Sequence, residues 1–176
     1  MFEFNVESQS DKMAQCLKRM LSLPVFMCIG TEKVFSDSLG PRVGTLLNDR
    51  MKTPQFVYGL VNSNITAENL CASYQIIRAL HPHKQIVVID AAVGVHEQIG
   101  TVQVSSEGLL PGAATNKNLP QIGDVSIVGI VGERGMADFY TTAAEKEKLV
   151  NKIAEFIVSA IVFATEDNRC SSLQQA

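Results

Sequence analysis

The segment QIVVIDAAVG, Gln85 to Gly94, limits the architecture more than any other stretch of the chain. Four β-favouring apolar residues, Ile86 to Ile89, stand in a row without polar alternation. Such a run suits a central strand covered on both faces, which is the environment of a parallel sheet between two helical layers. Two further short apolar runs, PVFMCIG and QFVYGLV, have the same character, and helical periodicity separates them. SDKMAQCLKRMLSL places Met13, Cys16, Leu17, Met20 and Leu21 on one helical face, with Ser10 or Asp11 suited to the N-cap. SLGPRVGTLLNDRM reads as a helix with Pro41 in its first turn, the one place where proline fits a helix well. TAENLCASYQIIRAL is a third helix, with Leu70, Tyr74, Ile77 and Leu80 on one side.

After Gly94 the rhythm changes. IGTVQVS and DVSIVGIV read as closely spaced strands around a long loop, and a helix spans Thr141 to Ala164. The expected fold is therefore α/β, a three-layer α/β/α sandwich on a mixed, mostly parallel sheet. At 176 residues one domain accounts for the whole chain, 1–176, with residues 165–176 expected as a frayed tail.

Composition excludes several function classes. A net charge of −3 gives a nucleic-acid backbone no electrostatic grip, so no nucleic-acid partner is expected. The longest apolar run, Phe156 to Ala164, is about half of what a bilayer span needs, and no secretory signal opens the chain. Cys16, Cys28, Cys71 and Cys170 form no CxxC pair, and reduced thiols in a cytoplasmic protein are expected. The cysteines read as small core hydrophobes. GIVGERG has the spacing GxxGxxG, whereas a dinucleotide loop needs GxGxxG opening into a helix; no Walker GKS or GKT and no GxSxG occurs. His81 and His83 flank Pro82 in a helix-ending turn and read as exposed, while His96 lies close enough in sequence to Asp90 to approach a site there.

Two acids stand where open α/β sheets bind ligands, beyond the carboxyl ends of strands. Asp90 closes the third run, and Asp37 lies in the loop after the first, in SDSLGP. If the two strands are neighbours, the carboxyl groups share a cleft, one acidity is suppressed, and the pair can act as base and acid. The same pair could hold a divalent cation. An Asp before a helix is also a common N-cap, and an Asp ending a strand often accepts from nearby amides. The loop LLPGAATNKNLPQIGD has two prolines and two glycines, with Lys117 the one charge between Glu107 and Asp124. It reads either as a shaped binding loop or as a surface excursion.

CIGT…SDSLGPRVGTLL, IDAAVG and LLPGAATNKNLPQIGDVSIVGIV together resemble the sporulation protein family of the YyaC type, in order across about residues 22–163. That family in turn is similar to the spore germination protease and, more distantly, to hydrogenase maturation endopeptidases. The resemblance implies a phosphorylase/hydrolase-like α/β/α fold and a sporulation-linked peptidase acting on a peptide or spore protein, in the forespore or mother cell. It implies that Asp37 and Asp90 are the catalytic acids, because DSLGP and IDA carry them in the germination-protease contexts. Substrate contacts are expected from Gly30, Thr31, Pro111, Gly112 and Lys117. No cofactor and no bound metal are expected, since the maturation enzymes' metal-contacting histidine has no counterpart after His96. A catalytically silent binding protein of the same fold is the alternative, and a metal-dependent maturation peptidase a weaker one.

Overall fold

The computed structural model describes residues 1–51, 55–110, 121–135 and 142–173, with side chains in the last helix described through Glu166. The elements in chain order are β1 (Phe2–Asn5), α1 (Ser10–Met20), β2 (Pro24–Cys28), α2 (Leu39–Arg50), β3 (Phe56–Tyr58), α3 (Leu70–Leu80), β4 (Gln85–Gly94), β5 (Thr101–Ser105), β6 (Val125–Glu133) and α4 (Ala143–Leu173). One sheet holds all six strands in the order β1-β5-β6-β4-β2-β3. The pairings β3/β2, β2/β4 and β4/β6 are parallel, whereas β5 pairs antiparallel with both β6 and β1. The sheet is mixed and mostly parallel, as the three unalternating runs imply.

The two faces of the sheet are buried by different helices. Phe26, Cys28, Val87 and Ile89 join the large core with Met13 and Leu17 of α1, Leu39, Val43 and Leu47 of α2, and Ile153 and Ile157 of α4. Their sequence neighbours Val25, Met27, Ile86 and Val88 face the other way, onto Leu70 and Ile77 of α3 and onto Ile122. Period-two alternation thus sends β2 and β4 into two separate cores, which is why Val25–Cys28 and Ile86–Ile89 contain no polar side chain. Three layers result. No described helix is long and apolar enough to cross a membrane.

The α2 helix carries the loop after β2 and is fixed to α4 at its exposed side. Arg50 makes a two-pronged contact with Glu155, and Arg42 reaches Asn151 and Glu147. On its inner side the backbone of β3 comes so close to that of β2 that a Cβ on Gly59 would lie 1.9 Å from the Cys28 carbonyl oxygen. Only glycine permits that approach, and the positive φ of +83° there suits glycine as well.

Several local expectations are corrected. The opening residues form an edge strand, β1, paired to β5. The N-cap of α1 is Gln9, not Ser10 or Asp11, and no side chain caps that end. Leu80 is 62% exposed although α3's spacing points it inward, because only Leu70 and Ile77 of that helix reach the sheet fully. His81 is buried at the end of α3, its Nε2 2.9 Å from the Tyr58 hydroxyl and its ring against Phe56. Its neutral form is favoured there by burial and by Lys84. Cys28 is a core residue, but Cys16 is half-buried and Cys71 exposed. The last helix continues to Leu173, beyond the expected end at Ala164.

Candidate active site

The site is built at the carboxyl end of β2, next to the middle of β4. Cys28 pairs with Ile89, and the Ile29 amide donates to the Ile89 carbonyl, so Asp90 stands one residue past the last paired residue of β2. Asp90 does not end its strand as the sequence suggests; β4 continues to Gly94 along β6. The strand therefore outruns its neighbour β2, and Asp90 sits at the step this leaves.

Beyond Ile29 the chain turns at Gly30, whose amide donates to the Ile65 carbonyl. A φ of +131° favours glycine here, and a Cβ would lie 2.0 Å from the Asp37 carbonyl oxygen and 3.3 Å from its Oδ1. The Thr31 amide donates to that same Asp37 carbonyl, closing the loop on itself. A short 3-10 turn, Phe35–Asp37, follows and packs against β4. Gly40 then brings the first turn of α2 onto β2, with a Cβ position only 2.0 Å from the Ile29 carbonyl oxygen. The glycines and proline of this junction thus have a direct geometric purpose: they let main chain pack on main chain and hold Asp37 over the end of β2. The amides of Gly30 and Thr31 are both occupied by protein carbonyls, so neither is open to a substrate.

Asp37 is not a helix cap. The N-cap of α2 is Ser38, no side chain caps the helix, and the buried Ser38 hydroxyl donates backwards to the Phe35 carbonyl. Burial raises the pKa of Asp37 above the ordinary carboxylate value, with the Thr31 amide opposing. Asp90 keeps some solvent-exposed area, but its carboxyl group lies deep enough for burial to dominate its acidity. Its pKa is pushed up to about 7, first by burial and then by the negative charge of Asp37, against a 2.8 Å hydrogen bond that its Oδ1 accepts from the Ala91 amide. The two groups therefore sense each other, and near neutrality they are suited to carry one proton between them.

The remaining expected site residues are distributed differently. Pro111, Gly112 and Lys117 lie outside the described residues. His96 is 77% exposed at its side chain and pairs with Glu133 at 3.2 Å. GIVGERG runs along β6 to Glu133 and then into a turn: Gly129 is buried, with Leu39 and Ile153 against its α-carbon. Among the described residues no group of three or more His, Cys, Asp or Glu side chains is arranged to hold a metal ion. A cavity of about 260 Å³ opens next to the acid loop, lined by Phe35, Ser36, Val93, Glu133 and Lys146 among others. The sequence reading missed it, although Phe35 and Ser36 immediately precede Asp37 and Val93 follows Asp90 by three positions.

Residues 2–160 match the family described as "Protein of unknown function (DUF1256)". The chain is 32% identical over 137 residues to "Uncharacterized protein YyaC" of Bacillus subtilis (strain 168), covering 78% of this chain and 67% of that one. Its fold is similar to that of the [NiFe] hydrogenase maturation protease HycI from Thermococcus kodakarensis KOD1, with a TM-score of 0.55 at 20% sequence identity. That likeness covers 83% of this chain and 98% of HycI.

Proposed function

Because the chain belongs to the DUF1256 family and shares its fold with a maturation protease, we propose that it is a sporulation-linked peptidase whose catalytic acids are Asp37 and Asp90. One observation carries the reading: Asp90 stands on β4 one residue past the last pair with β2, within electrostatic reach of Asp37 in the loop after β2, and neither acid caps a helix or pairs with a described base. The resemblance of the DSLGP and IDA contexts to the germination protease supports the same assignment.

The chemistry gives each acid one role. In its ionised form Asp37 accepts a proton from a water as that oxygen adds to the peptide carbonyl carbon. Asp90, protonated in a large fraction of molecules at neutral pH, donates its proton to the leaving nitrogen as the C–N bond breaks. The proton taken by Asp37 then restores Asp90, so one water is consumed and one acid and one amine are released. Lys117, the one charge in the sequence between Glu107 and Asp124, orients the carbonyl oxygen in this scheme.

The test is incubation of the protein with an extract of spore proteins, beside Asp37→Asn and Asp90→Asn, with cleavage read by mass spectrometry. Cleavage by the native protein that falls at least a hundredfold in both variants is the expected result. Equal cleavage by all three would sink the assignment. The alternative is a catalytically silent peptide-binding protein, favoured by the Asp90 hydrogen bond to Ala91, a role that Asn fills equally well. No turnover in any form, with ligand binding retained, is its signature.

A further inference from the structure

The cavity beside the acid loop has a definite chemical character. Its deepest walls are Val131 and Val150, which are 9% and 1% exposed, and its sides are Phe35 and Val93, left 39% and 38% exposed. At the edge stand Glu133 and Lys146, one of each sign, so the mouth favours neither a cationic nor an anionic guest. Glu133 is moreover already paired with His96.

The opening has a structural cause. The β4/β6 register slips between Ala92 and Val93: Ala92 faces Ile130, but Val93 faces Gly132, leaving Val131 as an extra residue in β6. Such a bulge bends its strand and splays the pair, and bulges are common beside active sites. Gly132 widens the gap further. A Cβ there would have a single neighbour, Val93 Cγ1 at 3.8 Å, and the backbone lies outside the left-handed region. Glycine is thus not required by packing or by conformation at this position, and what its absent side chain leaves is space.

We propose that this cavity is a specificity subsite that takes one aliphatic or aromatic side chain of a substrate peptide, at a residue next to the bond to be cut. The inference rests on the peptidase reading for the position of that bond. Size and place both support it. At about 260 Å³ the cavity is below the ~300 Å³ at which pockets for whole small molecules begin, and suits a single side chain. It adjoins the acid loop, because Phe35 and Ser36 belong to the same 3-10 turn as Asp37. A peptide held at Asp37 has the gap beside Phe35 within reach of a neighbouring side chain. The occupant also covers apolar surface that is otherwise left to water.

The experiment uses quenched fluorescent peptides with a Gly/Ser background and one variable residue: Leu, Phe, Ala, Lys or Asp. Cleavage is measured with the native protein, and binding by anisotropy with the Asp37→Asn/Asp90→Asn protein, so that recognition is read apart from turnover. Leu and Phe peptides are expected to bind and be cleaved at least about tenfold better than the Ala, Lys and Asp peptides. Gly132→Leu, which fills the cavity, is expected to erase that preference, and Phe35→Ala, which removes an exposed wall, to reduce it severalfold. Circular dichroism checks the fold of each variant, and Phe35→Ala decides the matter if Gly132→Leu does not fold. Cleavage without an apolar preference overturns the subsite and leaves the peptidase standing. Apolar-selective binding without cleavage, lost in the cavity variants, upholds the subsite and overturns the peptidase. A preference for Lys or Asp, or no binding and no cleavage, overturns the subsite.

Discussion

Replacing Asp90 by Asn makes the protein more stable at alkaline pH. In the folded chain Asp90 loses its proton near pH 7 instead of at the ordinary 3.8. The folded state therefore holds this proton more tightly than the unfolded state does. The sign follows: below pH 4 both states are protonated and nothing is lost, and stability declines as pH rises from about 4 to about 7. At about 1.4 kcal/mol per pH unit, the interval from 3.8 to about 7 corresponds to roughly 4 kcal/mol. Asp90 keeps part of its surface on water, which screens the effect, and about 2 kcal/mol is the expected net cost. Asparagine never ionises and can still accept the Ala91 amide, so the variant escapes this cost. The difference between variant and native protein is expected to grow by about 2 kcal/mol between pH 4 and pH 8. At pH 8 that is a rise in Tm of about 4–8 °C for a domain of this size. The chain has no tryptophan, so urea unfolding followed by far-UV circular dichroism is the assay. A variant-minus-native difference that stays constant from pH 4 to pH 8 refutes the reasoning and removes the basis for Asp90 as a proton donor.

Four further outcomes are expected. The kcat/KM of peptide cleavage falls above about pH 7 as Asp90 loses its proton, and a profile flat from pH 6 to 9 contradicts its role as the acid. Gly30→Ala places a Cβ 2.0 Å from the Asp37 carbonyl oxygen at a φ of +131°, and thermal melts should show a loss of about 2 kcal/mol or more. Tyr58→Phe deletes the 2.9 Å contact to the buried His81 ring and is expected to cost about 1 kcal/mol in urea unfolding, with no change in cleavage. Lys117→Met is expected to reduce cleavage while Tm stays nearly constant; unchanged cleavage removes it from the scheme.

The parallel centre of the fold was legible because its signal is local. Ile86 to Ile89 has no polar residue, and only a strand buried on both faces tolerates that. The spacing of Met13 and Leu17 in α1 is equally direct. What escaped depends on partners distant in sequence. Phe2–Asn5 is too short to stand out, and becomes a strand only because β5 offers it an edge. His81 ends a helix beside a proline, a typical exposed position, yet the Tyr58 hydroxyl and the Phe56 ring, more than twenty residues earlier, enclose it. The start of α4 could have been found: Thr142 and Glu145 exchange hydrogen bonds as a capping box, written in the sequence as T-A-A-E. For the site, residue type and motif context singled out the two acids, and the position of each beyond a strand end suggested a shared location. The cavity beside them was not readable, because it arises from a slipped register between β4 and β6, and no single residue announces that.

The close main-chain packing around Asp37 has a consequence for how genetic data on this protein should be read. At Gly30, Gly40 and Gly59 even a methyl group would collide with a carbonyl oxygen at 2.0, 2.0 and 1.9 Å. A saturation scan will therefore draw a ring of intolerant positions around the acid loop, through misfolding alone. That ring would be present in an active hydrolase and in a lineage that had lost its chemistry but kept its shape. Depletion at those glycines carries no information about turnover, and only isosteric changes at the two carboxylates separate selection for activity from selection for shape.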